Sequence, residues 1–150
     1  MKTRINLTLL MLFLTAGSVF SQKTNTGKQQ FFADFPTSIE VSSNIFQNAF
    51  NAVPGSTVSI PFSNQFIYSG TVLSNEVKYA NLQSVIIKSP AFGNALFQVS
   101  KIIHDDKSIT YTGRIVHHDA LDGYELKKDN NNHYRIQKFE TNKVLQDCSF

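Results

Sequence analysis

The sequence predicts a mostly β protein of the α+β class, in which one N-terminal helix packs on a curved antiparallel meander of about six or seven strands. Three observations carry this reading. Apolar and polar residues alternate through Ala95–Ile103 and Ser108–Val116; in the second stretch Ile109, Tyr111, Gly113 and Ile115 interleave with Thr110, Thr112, Arg114 and Val116. A period of two marks strands with one face turned inward. The connections His104–Lys107 and Asp129–Asn132 are short and dense in Asp, Asn and Lys, so neighbouring strands should pair antiparallel. Helical spacing occurs once, near the N-terminus, at Val41, Ile45, Phe46, Ala49, Phe50 and Val53. A small β-barrel or a two-sheet sandwich has the same periodicity and remains an alternative.

The chain has 150 residues, enough for one domain. Lys2 and Arg4 precede an apolar run from Leu7 to Ala16, followed by small residues around Gly17–Ser21. This is the pattern of a signal peptide, residues 1–21, cut after Ser21 with Val19 and Ser21 in the specificity positions. The apolar run is too short to span a bilayer as a stable helix, no second one follows, and no cysteine stands at the cut. The expected mature chain of about 129 residues is exported, to the periplasm or outside the cell. Residues 22–30 are polar and read as a flexible leader; residues 31–150 form a single β-rich domain.

Phe31-Phe32 and Phe35 arrive abruptly, as an edge strand or a plug on the core. Thr37 and Glu40 have capping-box spacing, which predicts a helix start, and Pro54-Gly55 ends that helix. Thr57–Phe62 alternates as a strand, with Pro61 suited to an edge. Phe66–Leu73 is a second strand, with Gly70 at a bulge or close approach, and Ser74–Asn81 reads as a loop anchored by Tyr79. Leu82–Lys88 is a third strand, broken by Ser89–Asn94, and the meander runs on to near Phe139. Alternating direction places the His104 and Asp129 turns at one end of the sheet and the His117–Asp122 connection at the other. Ile109, Tyr111, Ile115, Phe97 and Val99 should share a core with Phe46 and Phe50.

Removal of the signal takes two of the 14 basic residues and none of the 11 acidic ones, bringing the net charge from +3 to +1. No Lys/Arg stripe remains that would track phosphates, which argues against nucleic acid. The single cysteine, Cys148, cannot form an internal disulfide. Asp147 beside it disfavours the thiolate, so the expectation is a mainly unreactive terminal thiol in a monomer, with a disulfide-linked dimer as the minor form.

The densest set of possible ligands is His117-His118-Asp119 with Asp122. Imidazole and carboxylate suit a divalent metal, but adjacent residues on a strand point to opposite faces, and no H-E-x-x-H spacing occurs. A polar loop with two exposed histidines is the plainer reading. A second set, His104, Asp105, Asp106, Asp129 and His133, lies on turns at the other end of the sheet. The sequence contains no G-x-S-x-G, no phosphate loop and no dinucleotide fingerprint, and it predicts no catalytic residue and no cofactor. Phe31, Phe32, Phe35, Phe92 and Phe97 stand near loops or strand starts, as core filling or as exposed binding aromatics.

The passage Ile45–Pro54, followed by Val58-Ser59-Ile60-Pro61-Phe62, resembles the N-terminal pro-regions of secreted bacterial zinc metalloproteases, in which a helix runs into a proline and then a strand. The resemblance covers about a quarter of the mature chain and includes no protease domain or zinc-binding helix. It implies a stand-alone inhibitory or chaperone-like module. The leading functional expectation is a small exported, non-enzymatic domain that binds an extracytoplasmic protein or another extracytoplasmic ligand. The alternatives are a metal-dependent hydrolase built on the His117–Asp122 loop and a carrier of an apolar small molecule.

Overall fold

A computed structural model describes residues 30–131 and 133–141. The expected signal peptide, most of the expected leader and Cys148 lie outside these residues. The described chain forms eight strands: β1 (Ser38–Val41), β2 (Thr57–Pro61), β3 (Ile67–Tyr79), β4 (Leu82–Ser89), β5 (Ala95–Ile103), β6 (Ile109–Val116), β7 (Asp122–Lys128) and β8 (Tyr134–Glu140). All pairings are antiparallel, in the order β1-β8-β7-β6-β5-β4-β3-β2. The sheet curls into a half-barrel. Its two outer strands, β1 and β2, do not pair, so it is one open sheet rather than a closed barrel or a sandwich. Between them a 3-10 turn (Ser43–Phe46) leads into a short helix, α1 (Gln47–Asn51), on the concave face.

Two differences from the sequence reading raise the strand content. Ser38–Val41 is a strand paired with β8, not the first turn of a helix. Ile39 and Val41 point inward while Ser38 and Glu40 point out, so a period of two coexists here with capping-box spacing, and the free edge of β8 decides between them. The helix is correspondingly short, and Val53, expected on its apolar face, is exposed. Likewise Ser74–Tyr79 continues β3 through a bulge between Val72 and Ser74, held by its ladder to β4 despite its polar composition. Tyr79 is exposed at the hairpin tip and anchors nothing in the core. Pro61 does lie on an edge strand, and Gly70 is a close approach: a Cβ there would stand 2.4 Å from the Lys88 carbonyl oxygen.

The concave face holds the core. Val72, Ile87, Phe97, Ile115 and Tyr124 form one row across five strands, and Phe46, Ala49 and Phe50 of the helical segment press onto it. Phe46 stands 5.4 Å from the Tyr111 ring and 6.4 Å from Phe97. Ile109, expected in this core, lies past the helix on the same face and is exposed. The helix C-terminus is tied to the sheet by Asn75, whose Nδ2 donates to the Phe50 and Ala52 carbonyls at 2.9 and 2.8 Å. Gln83 adds bonds to Phe50 and to Asn75 Oδ1. A helix this short has little stability of its own, and these bonds satisfy carbonyls its last turn leaves open.

Candidate functional site

The two ends of the half-barrel differ, as expected from strand direction. The His104 and Asp129 turns share one end; the 117–121 connection shares the other with the turn after β4. At the first end the polar groups are turn fasteners. Asp106 accepts the Ser108 N–H at 2.9 Å, and Asp129 accepts those of Asn131 and His133 at 2.9 Å each. Hydrogen bonds from Ser108, and from the His133 backbone, hold the two carboxyls below their usual range. His104 bonds Thr110 through Nε2, and His133 lies 3.7 Å from Glu40. These residues do not converge on a common point.

At the second end, His117, His118 and Asp119 do. The chain has left the ladder after Val116, so the alternation that would separate adjacent side chains no longer applies. One ligand atom from each lies within 4.8 Å of the others. His118 Nε2 sits 2.7 Å from Asp119 Oδ2, and both side chains are well exposed. His117 is differently placed. Its Nε2 lies 2.7 Å from the Gly93 carbonyl oxygen and must donate there, while Nδ1 accepts the Asp119 N–H at 3.1 Å. Both ring nitrogens of the neutral tautomer are thereby committed to backbone. The ring packs 4.2 Å from Phe31 and 4.5 Å from His118. A metal would find two exposed ligands in His118 and Asp119 and would have to displace a backbone bond to gain His117.

Asp122, the fourth candidate, points the other way. It is buried, and its carboxylate accepts the Phe31 N–H at 2.8 Å and the Phe32 N–H at 3.1 Å. It is a structural acceptor beneath the N-terminal segment rather than a member of the histidine group.

The loop-side phenylalanines turn inward. Phe32, Phe66 and Phe97 are fully buried, and Phe35 and Phe92 pack against the same cluster. Phe35 lies 4.6 Å from Phe66, and Phe66 lies 5.4 Å from Phe92. The rings that would line a carrier's cavity are thus packed on one another.

On the outer side of the Gly93–His117 wall lies a feature that the sequence reading missed. Leu96 faces Lys88 on β4 and Val116 on β6 in the ladder, all on the convex face. With Leu73 they floor an open groove of about 600 Å³ bordered by His117 and His118. Leu73 and Leu96 are 50% and 37% exposed, which makes this an apolar interruption of a polar surface. The signal was present: Leu96 and Val116 fall in phase with Gln98, Ser100, Thr112 and Arg114, on the face that should be polar. Lys88 has no ion-pair partner among the described residues. No protein-family model, no curated protein and no solved structure matches the chain. Among the described residues no helix is long and apolar enough to cross a membrane.

Proposed function

We propose that this chain is a small exported, non-enzymatic domain that binds an extracytoplasmic protein at the Leu73–Leu96–Val116 groove. The observation that carries it is that groove: apolar side chains standing together on a polar convex face beside an ammonium with no described partner. An apolar patch rimmed by polar groups is the surface expected of an interaction site. Lys88 selects the partner's chemistry, a segment with an acidic residue next to apolar ones. The buried polar groups support a non-catalytic role, because they serve the fold: Tyr68 donates to the Ala95 carbonyl at 2.7 Å, Ser89 to Ser69, and Asp122 accepts from the N-terminal segment. An inhibitory or chaperone-like activity falls within this reading. The test is affinity capture from an envelope or secretome extract with the mature chain, beside Leu96→Glu and Lys88→Glu. A specific protein recovered by wild type and lost by both folded variants supports the proposal. Equal recovery by all three, or turnover in an activity screen, refutes it.

The approach of His118 and Asp119 supports a second reading, a metal-dependent hydrolase at the 117–119 loop. Metal analysis of untagged protein, repeated on His118→Ala, separates the two. Stoichiometric metal that disappears in the variant favours the second.

A further inference from the structure

The turn Phe31–Phe35 belongs to no strand, yet it is held as closely as a bound peptide. Its backbone is read by charged side chains from both sides. Asp122 takes two successive N–H groups, of Phe31 and Phe32. The Lys138 ammonium donates to the Phe32 carbonyl at 2.6 Å, to Phe35 at 2.8 Å and to Ala33 at 3.4 Å. Tyr124, opposite Lys138 in the β7–β8 ladder, donates to Pro36. Phe32 and Phe35 share the neighbours Phe66 and Phe92, and Phe31 packs apart from them against His117. Phe32 is fully buried, with its ring 5.5 Å from Tyr124 and 5.7 Å from Phe92. The Phe35 ring lies 4.6 Å from that of Phe66, tilted by 37°. Phe31 lies over Gly93, where a Cβ would stand 2.6 Å from its ring. Gly93 has φ +60°, a conformation that glycine adopts freely. Main-chain bonds combined with pockets for particular side chains are how proteins recognise peptides.

We infer that this end of the half-barrel is a peptide-binding cleft, filled in cis by Phe31–Pro36, which accepts an aromatic turn of the pattern Phe-Phe-x-x-Phe from a partner protein. The sheet is complete without the segment, since all eight strands pair outside it. The bonds that hold its backbone come from side chains of the last two strands, Asp122, Tyr124 and Lys138. The cleft lies on the inner side of the Gly93–His117 wall and uses neither Lys88 nor Leu96. It therefore goes beyond the groove proposed above, and either site can fail without the other.

The experiment uses the full mature chain carrying Phe32→Ala and a fluorescein-labelled synthetic peptide spanning Gln30–Thr37, followed by fluorescence anisotropy. Saturable binding to the variant, at least about tenfold weaker to wild type and similarly weakened by adding Asp122→Asn, is the expected result. A variant with native circular dichroism that does not bind overturns the inference. So does peptide-independent exchange of the segment between copies, seen as a dimer. Hydrogen exchange of wild type gives a readout that needs no variant. The Phe31 and Phe32 amides should exchange through local opening, at least about tenfold faster than the Ile115 amide. Exchange of all three only through global unfolding also overturns it.

Discussion

Asp122 and Phe32, ninety residues apart in the chain, are joined by a buried hydrogen bond from the Phe32 N–H to the Asp122 carboxylate. The same carboxylate holds Phe31, so one side chain at the start of β7 fixes where the N-terminal segment enters the core.

Replacing Asp122 with alanine removes the acceptor for both N–H groups, and Phe32 is fully buried beside them. Leaving buried donors without a partner carries their full desolvation cost, so Asp122→Ala should lower the unfolding free energy by about 3 kcal/mol. Asp122→Asn keeps one acceptor oxygen and should cost about half as much. Urea unfolding monitored by circular dichroism measures both. A difference under about 0.5 kcal/mol for the alanine variant would show that the segment is not held by these bonds.

Phe46 and Ile109 test where the core ends. Phe46 is fully buried between the helical turn and the sheet, and Phe46→Ala should destabilise by about 3–5 kcal/mol. Ile109 is 44% exposed, and Ile109→Ala should change stability by no more than about 1 kcal/mol. Comparable losses for the two would extend the core past the helix.

The strands of the meander were legible because one face is buried and period two has no rival over Ala95–Val116. The placement of the two ends followed from direction alone. The failures share a cause: where local and long-range signals compete, the ladder decides. Thr37 and Glu40 have helix-start spacing, but the free edge of β8 takes Ser38–Val41 as a strand. Ser74–Tyr79 lacks apolar periodicity, and only its partners Leu82–Ile86 on β4 make it extended. At the site, nearness in sequence brought His117, His118 and Asp119 together but misled for Asp122. That residue re-enters the sheet and points inward. Which face Leu96 and Val116 occupy could be read from their phase; their meeting with Leu73 required the three-dimensional curl.

Asn75 lies in the segment that reads as a loop, yet it holds the end of α1 against the sheet. Asn75→Ala would leave the Phe50 and Ala52 carbonyls short of donors, with Gln83 still reaching Phe50. The expected cost is about 1–2 kcal/mol, measured by thermal or urea unfolding. Asn75→Asp, which keeps the shape but removes the donor and adds negative charge beside carbonyl oxygens, should be worse than alanine. If aspartate proves the milder change, the amide is not acting as a donor.

Alkaline pH provides the last test, through Tyr124. Its hydroxyl donates to the Pro36 carbonyl, and burial, with the Asp122 charge adding to it, pushes its pKa up to about 12 from an ordinary 10.0. Burial raises Tyr68 as well. In the unfolded chain these phenols ionise near their ordinary value, while the fold retains their protons to higher pH. The contribution of Tyr124 to stability is therefore fully present below about pH 10 and is lost as the pH rises towards 12. Unfolding free energy should fall across this window in wild type. Tyr124→Phe should be about 1 kcal/mol less stable at pH 7, because the bond to Pro36 is gone, and should show a shallower fall between pH 10 and 12. An alkaline profile that keeps the same slope in the variant would mean that Tyr124 titrates as a solvated phenol, and that the N-terminal segment does not cover it.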